Sequence, residues 1–189
     1  MKSLTFKVIS TIVLTFAAIA PAIAQTTEPP ESVAKAYFAA MRSGDWAKCA
    51  SLMHPDALAS MKRSFATVVS ADKSDGAAKT IFGLKSGAEF AQLNDAAVFE
   101  RLMTFIIGAV PDIKTALAAS TSTVLGQVGE GPDLIHVVYR SQLKLASAEV
   151  SQVELISLKK SGSTWRALLT ADMEELFEKF AEGMSGKKE

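Results

Sequence analysis

The chain has 189 residues with 20 basic and 20 acidic side chains, and it carries no long basic stripe. That balance excludes the electrostatic footprint of a nucleic-acid binder, whose affinity rests on clustered Lys and Arg. Cys49 is the single cysteine, so no internal disulfide can form.

The N-terminus has the layout of a secretory signal: Lys2 and Lys7, an apolar run over 8–20, Pro21, then the small-residue box Ala22-Ile23-Ala24. Cleavage is predicted between Ala24 and Gln25, giving a periplasmic or secreted protein. The apolar run is shorter than the ~20 residues that a membrane span needs. Residues 99–110 are strongly apolar but short and interrupted by Arg101, which predicts a buried core helix and no membrane span after cleavage. Removing residues 1–24 leaves 165 residues with 18 basic and 20 acidic side chains. That length fits one domain with one core. The neighbours Ala47, Ala50 and Leu52 make Cys49 a small buried side chain.

Residues 25–30 read as a mobile, proline-ended leader, followed by a single domain over 31–183 and a frayed tail over 184–189. A helix starts near Glu31 with Pro30 in its first turn, where a missing N–H costs nothing. Val33, Ala34, Tyr37, Phe38 and Met41 form its apolar stripe, and Ser43-Gly44 end it. Asp45 then caps a second helix carrying Trp46, Cys49, Ala50, Leu52 and Met53. His54-Pro55-Asp56 breaks it, because the proline ring disfavours helical geometry at His54. A third helix runs through Leu58, Met61, Phe65 and Val69. Residues 70–87, rich in Asp, Ser and Gly, predict a long loop with a short extended piece at Thr80-Ile81-Phe82. A helix begins at about Asn94 or Asp95, and Pro111 interrupts it before a short helix or irregular approach over 112–119.

The remainder is a meander of strands over 122–128, 134–145, 150–159 and 164–170, separated by turns rich in Gly, Pro and Ser. Alternation puts Ile135, Val137, Tyr139, Leu143 and Leu145 on one face, to be buried under the helices. The same reading turns Ser141, Val153, Leu155, Ser157, Trp165, Ala167 and Leu169 inward, with Glu154 and Arg166 outward. The outer face then carries His136, Arg140, Gln142 and Lys144 among Leu134, Val138, Ile156, Leu158 and Leu168, an apolar content that marks an interface or a covered surface. A final amphipathic helix over 172–183 presents Met173, Leu176, Phe177 and Phe180 on one stripe. The fold class is therefore α+β: N-terminal helices on a strongly curved antiparallel sheet, plus a C-terminal amphipathic helix.

Two helices joined by Gly44-Asp45-Trp46, the segment Leu52-Met53-His54-Pro55-Asp56-Ala57-Leu58, and a long antiparallel meander give residues 31–170 a pattern that resembles the nuclear transport factor 2-like superfamily. The resemblance implies a cystatin-like, cone-shaped fold in which a curved sheet wraps a long helix and leaves an apolar pocket. Its members include isomerase-, dehydratase- and cyclase-like enzymes and many proteins that only bind, so the fold leaves activity open. The 70–87 segment and the helix after Thr170 depart from that pattern, and either could cover the pocket mouth.

The enzymatic members use a carboxylate or His base in an apolar pocket. No Asp, Glu or His falls on the inward face as read above, which leaves His54 and Asp56 at the pocket mouth as candidate catalytic groups. Both also have a structural role open to them as capping and turn residues. The predicted pocket lining is Tyr37, Met41, His54, Tyr139, Ser157 and Trp165, whose polar-tipped aromatics would set a ligand's orientation. No Gly-rich phosphate loop, Ser-His-Asp arrangement or cysteine metal motif occurs, so no cofactor and no metal are predicted. Three functions follow as expectations. One is non-enzymatic binding of a small apolar ligand or a protein partner. Another is a cofactor-independent isomerase, dehydratase or cyclase using Asp56 with His54 or Tyr139. The third is a dimeric assembly module joined through the outer sheet face or the C-terminal helix.

Overall fold

A computed structural model describes residues 28–145 and 148–184. The predicted signal segment, most of the leader and the tail from 185 lie outside the described residues. Within them the chain is α+β, with eight helices and an open four-stranded antiparallel sheet. Helix α1 (Pro30–Ser43) opens with proline at its first turn. It closes in a Schellman arrangement: Gly44, at φ 69°, donates its N–H to the Met41 carbonyl and Asp45 donates to that of Ala40. Only glycine enters that left-handed region without a steric penalty. Asp45 also caps α2 (Trp46–Leu52), its carboxylate accepting from the Lys48 N–H at 2.9 Å.

Helix α3 (Pro55–Ala71) buries Leu58, Met61, Phe65 and Val69 at helical spacing. The segment expected as a loop over 70–87 instead contains α4 (Gly76–Phe82), and α5 (Gly87–Gln92) follows it. The difference has a local cause and a tertiary one. The Asp72 carboxylate accepts from the Ser74 N–H and hydroxyl on one oxygen and from the Ala77 N–H on the other, so it organises the turn into α4. Asp75 then accepts from the Gly87 N–H at 2.8 Å and ties the two ends of the segment together. Phe82 is buried between Phe65 and Phe90, with ring centroids 5.9 and 4.8 Å away, so Thr80-Ile81-Phe82 is a helical anchor and not an extended strip.

Helix α6 (Asp95–Ala109) is capped by Asn94, and α7 (Pro111–Ala119) follows after a bend of 105°. Val110 serves as the C-cap of one and the N-cap of the other, and Pro111 cannot continue the α6 hydrogen-bond ladder. Among the described residues no single helix is long and apolar enough to cross a membrane.

The sheet is a meander in the order β1 (Thr121–Gly129), β2 (Leu134–Leu145), β3 (Ala148–Ser161), β4 (Thr164–Ala167). Ile135, Val137 and Tyr139 face the helices as expected. Their cross-strand partners are Leu158, Ile156 and Glu154. This corrects the reading of β3: Ile156 and Leu158 are core, Glu154 is inward, and Val153, Leu155 and Ser157 point outward. Both parities of β3 are apolar, so its alternation does not choose a face. The antiparallel register chooses it, and a one-residue difference inverts every side chain. Helix α8 (Ala171–Met184) docks on α3, with Phe177 against Phe65 and Phe180 against Phe65 and Phe105. It leaves the outer sheet face without a covering element among the described residues.

Hydrogen bonds from Ser74 and the Ala77 N–H hold the Asp72 carboxyl down at about 2. A depressed carboxyl stabilises the fold fully above its unfolded value of 3.8 and loses that effect as pH falls through about 2. Amide-exchange protection over Gly76–Phe82 is therefore expected to hold down to about pH 4 and fall towards pH 2. In Asp72→Asn it should be weaker at neutral pH and lack that acid transition.

Candidate functional site

His54 and Asp56 come together, but in a structural arrangement. The His54 ring is buried and its Nδ1 accepts the Asp56 N–H at 3.1 Å, making it the N-cap of α3. A ring nitrogen accepting a backbone proton carries none of its own, so the neutral tautomer is protonated at Nε2. The His54 N–H donates to the Ala167 carbonyl at 2.7 Å, which fastens the start of α3 to the end of β4. Asp56 is exposed, and its carboxylate accepts from Lys159 Nζ at 3.0 Å. That hydrogen bond, aided by the charges of Lys159 and Arg63, holds the Asp56 carboxyl below its ordinary range. A general base tuned towards neutrality would be shifted the other way.

Tyr139 lies elsewhere. Its hydroxyl donates to Glu154 at 2.5 Å, Ser141 donates to the other Glu154 oxygen at 2.7 Å, and Phe38 stacks on its ring with centroids 4.3 Å apart. Glu154 and Lys159 are five residues apart on β3, roughly 16 Å, and point to opposite faces. Asp56 and Tyr139 therefore do not converge. The inward carboxylate that the strand reading missed is Glu154. The detectable signal was polar: Tyr139, Ser141 and Glu154 satisfy one another only if Glu154 shares their face.

The predicted pocket lining disperses. Tyr37 is fully packed, and burial pushes its hydroxyl well above the usual phenol range. Ser157 turns outward and hydrogen-bonds His136 Nδ1 at 2.9 Å, while His136 Nε2 meets Glu130 at 2.8 Å. Trp165 is half-buried under Lys160 Nζ, 5.1 Å from its ring centroid. Burial, with the Asp45 charge nearby, pushes the Cys49 thiol up to about 12, so it is not a thiolate near neutral pH. Among the described residues no three His, Cys, Asp or Glu side chains gather as a metal set.

Of that lining, Met41 borders a groove. The groove has a volume of about 390 Å³ and lies in the elbow between α6 and α7, closed by the α1–α2 turn. Met41, Trp46, Ile107 and Leu117 supply apolar walls, Gly108 leaves the floor open, and Arg42 and Lys114 are the charged residues on it. A Cβ built at Gly108 would meet nothing within 4 Å. Trp46, on α2, is half-buried at this groove. No family model, curated protein or solved structure matches the chain.

Replacing His54 by Ala removes the α3 cap and should cost about 1 kcal/mol of unfolding free energy. His54→Asn, which keeps a capping acceptor, should recover most of it in denaturant titrations.

Proposed function

We propose that this chain is a non-catalytic binding domain that holds a small apolar molecule in the groove of the α6–α7 elbow. The observation that carries the reading is an apolar groove of about 390 Å³ whose described lining contains no acidic residue. That volume lies within the range of small-molecule sites, about 300–1,000 Å³. The groups an acid/base mechanism would use are engaged elsewhere: His54 as a cap, Asp56 with Lys159, and Glu154 with Tyr139 and Ser141. The proposal includes the exported location expected from residues 1–24. It also includes membership of the nuclear transport factor 2-like superfamily, for which the helix-on-sheet order is the support. In that setting the ligand site has moved from the concave sheet face, where Phe38 stacks on Tyr139, to the helical side.

The test uses Gly108, because its missing side chain is the groove's free space. Gly108→Leu should fill the groove without a clash and raise stability by about 0.5–1 kcal/mol, since glycine is a poor interior helix residue. Binding of a neutral apolar dye such as Nile red, followed by fluorescence, should be lost in that variant. Unchanged dye binding to Gly108→Leu would overturn the groove reading.

A second reading is favoured by the sheet. Val128, Val153 and Leu155 are 60, 58 and 55% exposed on the outer face, around the half-buried Val138. An apolar patch on a strand face is a surface for association, here with a second copy of this chain. Sedimentation should then show a dimer, and Leu155→Lys should give a folded monomer. A wild-type monomer at high concentration would remove this reading.

A further inference from the structure

Building on the groove reading above, we infer that the ligand is a single-chain amphiphile with a carboxylate head, its tail against Met41, Ile107 and Leu117 and its head at Arg42 and Lys114. The charge pattern points to an anion. Arg42 lies in the last turn of α1 and Lys114 in α7, and both border the groove. Neither has a carboxylate partner among the described residues, so both charges are open to a ligand in the groove that they border. Both charges border one groove, and an anion bound in it gains from each.

The two hydroxyls at the groove are already engaged. The Ser43 hydroxyl donates to the Ala40 carbonyl at 3.0 Å, and the Thr104 hydroxyl donates to that of Glu100 at 2.7 Å. Each therefore spends its proton within its own helix, and the charged donors left for a ligand are the guanidinium and the ammonium. A guanidinium offers two parallel N–H groups, which match a carboxylate's two oxygens. The walls then exclude a wholly polar anion, because Met41, Ile107 and Leu117 gain nothing from one. A volume of about 390 Å³ sits near the lower end of small-molecule sites and suits one alkyl chain, not two.

The experiment compares decanoate with 1-decanol, which share a tail and differ in head. The chain has two tryptophans, so Trp165→Phe leaves Trp46 in the groove as the sole fluorescence reporter. Charge-assisted hydrogen bonds should make decanoate bind about tenfold more tightly than decanol at neutral pH. Added salt should weaken decanoate and leave decanol unchanged. In Arg42→Ala/Lys114→Ala the two ligands should bind alike, and Gly108→Leu should bind neither. Equal binding of the two ligands to the wild-type groove overturns the carboxylate assignment while the groove reading stands. Failure of both ligands to perturb Trp46 removes both. The wild-type comparison decides the matter even if the double variant folds poorly, and unchanged circular dichroism shows whether it does.

Discussion

The register between β2 and β3 is the constraint from which the rest of the architecture follows. Val137 opposite Ile156 and Ile135 opposite Leu158 make one continuous apolar face, fully or largely buried under the helices. Each fully buried side chain of this size contributes about 1.5–3 kcal/mol. A slip of one residue would place Val153 and Leu155 inside and leave Ile156 and Leu158 in water. It would also turn Glu154 away from Tyr139 and Ser141. The polar cluster and the apolar pairs therefore specify the same register, and each would be lost with the other.

A second consequence concerns where space is left. Phe38 on Tyr139 and the packed Tyr37 occupy the helix-facing side of the sheet. Space appears instead where two helices cannot lie flat together. Val110 and Pro111 force α7 away from α6 by 105°, Gly44 turns the chain between α1 and α2, and the groove opens between those two bends. Gly108 keeps it open, because even a Cβ there would meet nothing within 4 Å.

Polar side chains in this protein mostly build the fold. Asp45, His54, Ser86 and Asn94 cap helices, Asp72 and Asp75 shape the turn into α4, and Lys159 ties β3 to the start of α3 through Asp56. Arg101 donates to the Phe82 carbonyl at the end of α4. Arg42 and Lys114 have no carboxylate partner among the described residues, and they are the two cations that border the groove. Tethered groups hold position, and untethered ones are available to a ligand.

What the sequence by itself determined was local. The starts of α1, α2, α3 and α6, the glycine stop at Gly44, the strands of the meander and the inward face of β2 are written in spacing, capping and turn chemistry, which act within a few residues. The capping role of His54 was also open to view, because a histidine before a proline at a helix start has few other uses. The tertiary structure decided the rest. It chose the face of β3, since that strand is apolar on both sides and only its pairing with β2 distinguishes them. It made a helix of Gly76–Phe82, since seven residues with glycine at the start are a weak helix alone and a stable one when Phe82 is held between Phe65 and Phe90. It also dispersed the predicted pocket and put Met41 and Trp46 at a groove with Ile107 and Leu117. Residues more than 50 positions apart meet there through the angle of a bend, and no periodicity in the chain encodes an angle between helices.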